Sequence, residues 1–122
     1  MGSFKREVIK PNRTNFKRLQ PDIRVEMGSG EIKYLQPVAQ DDTDGLFYAY
    51  VKDDPKKGVI AGLYTGEDAT LEANDLGPVT TYVIVAKESI QGVDWDTDKA
   101  LISKLKAAGI ILTSELKATE EV

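Results

Sequence analysis

The 122-residue sequence contains neither cysteine nor histidine, and those two absences exclude the most chemistry. Without cysteine there is no disulfide framework, no iron–sulfur centre of the usual kind and no thiol nucleophile. Without either residue, the common zinc sites and the commonest general base are missing as well. No stretch approaches the ~18 consecutive apolar residues that a membrane-spanning helix needs. No apolar segment follows the start, so no secretory signal is expected. Internal repeats, low-complexity tracts, and the G-x-G-x-x-G and P-loop patterns that cradle phosphate are absent too. Ser89, Ser103 and Ser114 have no histidine to activate them, and no flanking motif suggests a serine–lysine pair. These gaps point away from an enzyme and towards a protein that works by binding, with no cofactor and no membrane partner. At 41% apolar and 30% charged residues, the composition suits one globular domain with a modest core.

Charge is unevenly placed. The net charge is −4, yet residues 1–24 hold seven basic groups against Glu7 and Asp22, a net +5. The remaining 98 residues hold nine basic groups and 18 acids, a net −9. The first 24 residues carry Pro11, Pro21 and two separated phenylalanines, Phe4 and Phe16, with no sustained period of 3.6 or 2. Such a segment buries too little surface to offset its ordering entropy, so an arm over residues 1–24 is expected to order on contact with a partner. That partner is either an acidic protein surface or nucleic acid; the alternative is a solvated tail that binds nothing. The net −9 body would repel a phosphate backbone, which disfavours nucleic acid.

Residues 25–116 read as a β-rich body. Alternation over Ile23–Glu26 and Glu31–Leu35 around Gly28-Ser29-Gly30 predicts a β-hairpin. Asp41 to Gly45 predicts an acidic turn, followed by an aromatic strand over 46–51. The run from Val59 to Tyr64 predicts a strand in which Gly62 marks a close backbone approach, and residues 66–78 predict a loop. Thr80 to Ala86 (TTYVIVA) is the most strand-like window. Its lack of alternation predicts cover on both faces, by the core and by a neighbouring subunit. Leu101, Leu105 and Ala108, with Ile102 beside them, predict a helix near 97–108, capped by Asp96 or Thr97 and ended by Gly109. Ile110–Leu112 then predicts a short buried strand, and residues 117–122 a frayed tail. The two aspartate clusters fail as EF-hand loops. A loop from Gln40 puts Val51 at its twelfth position, and one from Asp94 puts Lys99 at its sixth and Leu105 at its twelfth. Turn formation and helix capping account for both, so no metal site is expected. Nor does any pair of carboxylates stand out for glycosidase chemistry.

The stretch from Val59 to Leu112 resembles the lambda-type bacteriophage head decoration proteins. The residues that carry the likeness are Val59-Ile60-Ala61-Gly62-Leu63-Tyr64-Thr65-Gly66-Glu67-Asp68-Ala69-Thr70, then Thr81-Tyr82-Val83-Ile84-Val85, then Leu101 to Leu112 with its Gly109-Ile110 stop. The resemblance implies a mainly β (α+β) fold, a small β-clip-like or partly open barrel with a C-terminal helix and an extended N-terminal arm. It also implies a homotrimer on the outer surface of the expanded capsid, bound to the major capsid protein and stabilising the head. The arm would supply the coat contacts, through Phe4, Arg6, Arg13, Phe16, Lys17, Arg18 and Arg24. Tyr82, Ile84 and Trp95 are the candidates for the contacts between subunits. The basicity of the arm and the aromatic strand Phe47-Tyr48-Ala49-Tyr50 depart from the family pattern. The alternatives are a small nucleic-acid-binding protein that uses the basic arm, or another structural subunit of a virion.

Overall fold

The computed structural model describes residues 16–113. The fold is mainly β, with a single α-helix among the described residues. Among the described residues ten strands form three sheets. A closed barrel runs in the order β2 (Ile23–Met27), β5 (Phe47–Ala49), β4 (Pro37–Gln40), β6 (Gly62–Tyr64), β8 (Asp75–Thr80). A three-stranded sheet places β9 (Val83–Ala86) between β1 (Phe16–Arg18) and β10 (Ile110–Thr113). A two-stranded ribbon pairs β3 (Gly30–Ile32) with β7 (Ala69–Leu71). The small barrel expected from the resemblance is present, and its ring of five strands closes, which removes sheet edges that would otherwise invite pairing.

Two apolar clusters hold this together. Met27, Ile32, Val38, Tyr64 and Val79 fill the barrel interior and the base of the ribbon. Leu35, Tyr50, Ile60, Leu63, Val83, Val85, Ile90, Leu101, Leu105 and Ile110 form the second cluster, between the barrel wall, the three-stranded sheet and helix α1 (Leu101–Ala107). Strand alternation shares β6 between the two: Tyr64 faces the first cluster and Leu63 the second. Gly62 is required where β6 crosses β8. A Cβ there would sit 2.5 Å from Val79 Cγ1 and 2.9 Å from the Thr80 carbonyl oxygen, so the close approach expected from the sequence is real.

Four expectations need correction. Residues 23–35 do not form a hairpin: β2 pairs with β8 and β5, while β3 pairs with β7. The Tyr48 ring lies over the Gly28 backbone so closely that a Cβ would fall 2.0 Å from it, and the chain leaves the barrel there instead of doubling back. Residues 66–78 are not a loop, since they contain β7 and most of β8. Gly77 lies within β8 and is the residue that lets Met27 and Tyr64 pack against the strand. The window 80–86 is not one strand, because Thr80 ends β8 and the chain turns at 81–82 before β9.

The helix, finally, spans only 101–107 and has no side-chain cap at Ala100. Asp94 instead accepts hydrogen bonds from the backbone N–H groups of Asp96 (3.0 Å) and Thr97 (3.3 Å). Those bonds pull its carboxyl below the ordinary range. Within the helix Leu101 and Leu105 are buried but Ile102 is half-exposed, so Ile102 lies off the apolar stripe. Gly109 ends the helix with φ 89° as expected. The acidic turn is also as expected: Gly45 adopts φ 76°, and Asp41 and Asp44 accept the backbone N–H groups of Thr43 and Leu46. No helix among the described residues is long and apolar enough to cross a membrane.

Candidate functional site

Residues 16–24, expected as part of an arm, are fastened to the body. Strand β1 pairs antiparallel with β9, Phe16 against Val85 and Arg18 against Val83. Phe16 packs edge-on against Tyr34, with ring centroids 6.2 Å apart, and the Arg18 guanidinium lies 4.9 Å over its ring. Arg18 also forks onto Asp22 through two bonds of 2.6 and 3.0 Å. The Thr65 hydroxyl donates to the same carboxylate at 2.7 Å. Burial works against ionisation of Asp22, but the bonds from Arg18 and Thr65 and the Arg18 charge outweigh it and hold the carboxyl below its ordinary value. In turn, the bond to Asp22 raises Arg18. Two of the expected coat contacts, Phe16 and Arg18, are therefore committed to the body itself.

The register sets what remains outside. Phe16, Val85 and Leu112 align across the sheet, as do Arg18, Val83 and Ile110, and the apolar members of both rows pack into the second core. The row between them is Lys17, Ile84 and Ile111, which alternation turns to the opposite face. Ile111 is 38% exposed there and Ile84 partly so. Tyr82, two residues before Ile84, is 44% exposed, and its carbonyl accepts the Leu19 N–H at 2.9 Å, extending the ladder. Leu19 is also exposed. Lys17 has no ion-pair partner among the described residues. Among the described residues, the outer side of this sheet thus presents an apolar patch with Lys17 beside it, where soluble surfaces ordinarily scatter their apolar side chains singly.

The other expected residues fall elsewhere. Phe4, Arg6 and Arg13 lie outside the described residues, as does the tail at 117–122. Arg24 stands on β2 across from Pro78, on the barrel and not on the sheet. Trp95 packs against the second core with the Lys87 ammonium 4.8 Å over its ring. Tyr82 and Ile84 do share the open face. Ile111 and Leu19 belong with them and were missed. A signal existed for Ile111, since Ile110 must face the core directly after Gly109, and period-2 alternation then turns its neighbour outward.

A second constellation joins the barrel to the helix. The Tyr50 hydroxyl donates to the Asp98 carboxylate, and Lys104 Nζ donates to Tyr50 at 2.7 Å and to Asp98 at 3.2 Å. Burial, then the bond to Asp98, raises Tyr50, and the bond to Tyr50 raises Lys104. An open depression of about 270 Å³ is lined by Glu31, Ile32, Lys33, Asp68, Ala69 and Thr70, none of them in this triad. The triad works as a clasp, tying the residue after β5 to the segment that leads into α1 and to the middle of that helix. Among the described residues no three acidic side chains are arranged to hold a metal ion.

No protein-family model matches the chain, and no curated protein matches it.

Proposed function

We propose that the protein is a capsid decoration subunit that sits on the outer surface of an expanded phage head as a trimer, binds the major capsid protein and stabilises the shell. The observation that carries the reading is the open face of the three-stranded sheet, where Ile84 and Ile111 stand in register with Lys17 of β1, the strand that follows the basic segment 1–15 in sequence, and the exposed Tyr82 lies two residues before Ile84. A cement protein needs a rigid body, a surface for its neighbours and a segment that grips a repetitive coat. Apolar side chains at an exposed sheet face supply the second. A basic segment that adds a strand to a coat edge supplies the third, with backbone hydrogen bonds for affinity. Three copies on one trimer multiply weak individual contacts through effective concentration.

The test mixes purified full-length protein with expanded and unexpanded heads freed of DNA, and counts bound copies. Saturable binding to expanded heads at a fixed ratio to coat subunits is expected. Removal of residues 1–15 should weaken that binding steeply while leaving the body folded. Absence of binding to heads, together with steeply salt-dependent binding to DNA, would replace this reading with the nucleic-acid alternative.

A further inference from the structure

Two stretches of the chain lie outside the described residues, and both adjoin the open sheet face. Residues 1–15 lead into β1 at Phe16, and residues 114–122 follow β10 at Thr113. The register puts these two junctions at the same end of the sheet. Phe16 stands at Val85 and Thr113 at Ala86, on opposite sides of β9. The face therefore has two segments of its own chain within reach.

Charge separates them. Residues 1–15 hold Lys5, Arg6, Lys10 and Arg13 against Glu7, a net +3. Residues 114–122 hold Glu115, Glu120 and Glu121 against Lys117, a net −2. The row across the face is Lys17, Ile84 and Ile111, with Tyr82 and Leu19 beside it, so it offers a cation and no acid. The basic segment would bring like charge to Lys17, whereas the acidic one brings carboxylates to an ammonium. Length allows the contact. Tyr82 lies four residues back along β9 from Ala86, about 13 Å at the rise of a strand, and Lys17 lies two strands across from β10, about 10 Å. Nine residues reach up to about 30 Å, enough to reverse after Thr113 and return across the face.

We infer that residues 114–122 fold back over the Tyr82–Ile84–Ile111 face of their own chain, with Leu116 against the two isoleucines and Glu120 or Glu121 against Lys17. The tether favours this occupant over a free partner, because a short connection holds the segment at an effective concentration in the millimolar range. The segment is then an intrachain cover that a neighbouring subunit must displace. That role rests on the reading of this face as the surface for neighbours; the contact itself does not.

The sequence has no cysteine, so one introduced thiol reports on one place. Ile111→Cys in the full chain puts a thiol on the face without opening either core, since Ile111 is 38% exposed. Its reaction with an uncharged maleimide is timed over a dilution series. The comparison is the same chain carrying Leu116→Ser, Glu120→Lys and Glu121→Lys as well. The altered segment should raise the rate about tenfold, which is the loss of a contact of about 1.4 kcal/mol, with unchanged circular dichroism. Lys17→Glu with the native segment should also speed the reaction. Lys17→Glu combined with Glu120→Lys and Glu121→Lys, Leu116 being kept, should recover the slow rate. Equal rates with native and altered segments, or a charge exchange without recovery, overturn the inference. So does a slow rate that fades on dilution, which would assign the cover to a second copy. Binding to expanded heads is counted separately. A cover established by these rates in a protein that ignores heads would overturn the coat-binding reading and leave the intrachain contact standing; head binding with equal rates would do the reverse.

Discussion

The clasp of Tyr50, Asp98 and Lys104 makes an asymmetric prediction that follows from burial alone. The Asp98 side chain is 5% exposed and that of Lys104 28%. Replacing Lys104 by Met therefore strands a carboxylate that has little access to water, with only the Tyr50 hydroxyl left to satisfy it. Breaking a buried pair from that side costs about 3 kcal/mol or more. Replacing Asp98 by Asn leaves an amide oxygen that still accepts the Tyr50 hydroxyl, and an ammonium that can turn towards solvent. The loss is then that of a charge-assisted bond, about 1 to 2 kcal/mol. The assay is urea unfolding followed through Trp95, the only tryptophan, which packs against the same core as α1. With a slope of about 1–3 kcal/mol/M for a small protein, the Lys104→Met midpoint should fall by about 1–3 M and the Asp98→Asn midpoint by roughly half as much. Equal losses, or a larger loss for Asp98→Asn, would refute the burial argument. Losses below about 1 kcal/mol for both would show that the pair is screened by solvent as a surface pair is.

Three further outcomes are expected. Gly62→Ala should lower stability by about 1–3 kcal/mol, because its Cβ meets Val79 and the Thr80 backbone at distances the β6–β8 crossing cannot widen; a thermal melt reads this directly. Gly109→Ala combines a φ of 89° with a Cβ 2.2 Å from the Thr81 carbonyl oxygen, so it should cost about 2 kcal/mol or more and loosen β10 from β9, visible as faster amide exchange in both strands. Asp22→Asn tests the fastening of β1. A carboxyl held below its ordinary value of 3.8 stabilises the fold above that value and loses the contribution as pH falls through the lower folded-state value. The stability gap between wild type and Asp22→Asn should therefore be complete at neutral pH and close in acid; a gap that does not change with pH would contradict it.

Signals that act within a few residues were legible along the chain. The acidic turn at 41–45, the Gly109 stop, the strand that follows it and the packing role of Gly62 each depend on local backbone geometry or on one residue's missing side chain. The failures share a different cause. Residues 66–78 look like a loop until Met27 and Tyr64 are seen to pack against the strand at Gly77. The alternation at 23–35 looks like a hairpin until the Tyr48 ring over Gly28 separates its two halves. Asp98 sits among residues suited to capping a helix, but its carboxylate goes to Tyr50, 48 residues away in sequence.

The amino-acid sequence by itself determined the class of the protein: the absence of cysteine and histidine, the strand-rich pattern, and the division between a basic start and an acidic remainder all persist whatever the fold. Only the tertiary structure decided which side chains are spent and which are free. Arg18 and Lys17 are adjacent and equally basic, yet register turns one onto Asp22 and the other to an open face. The physical reason is that pairing partners, and hence the face each residue occupies, are set by strands far away in the chain, and no local pattern carries that information.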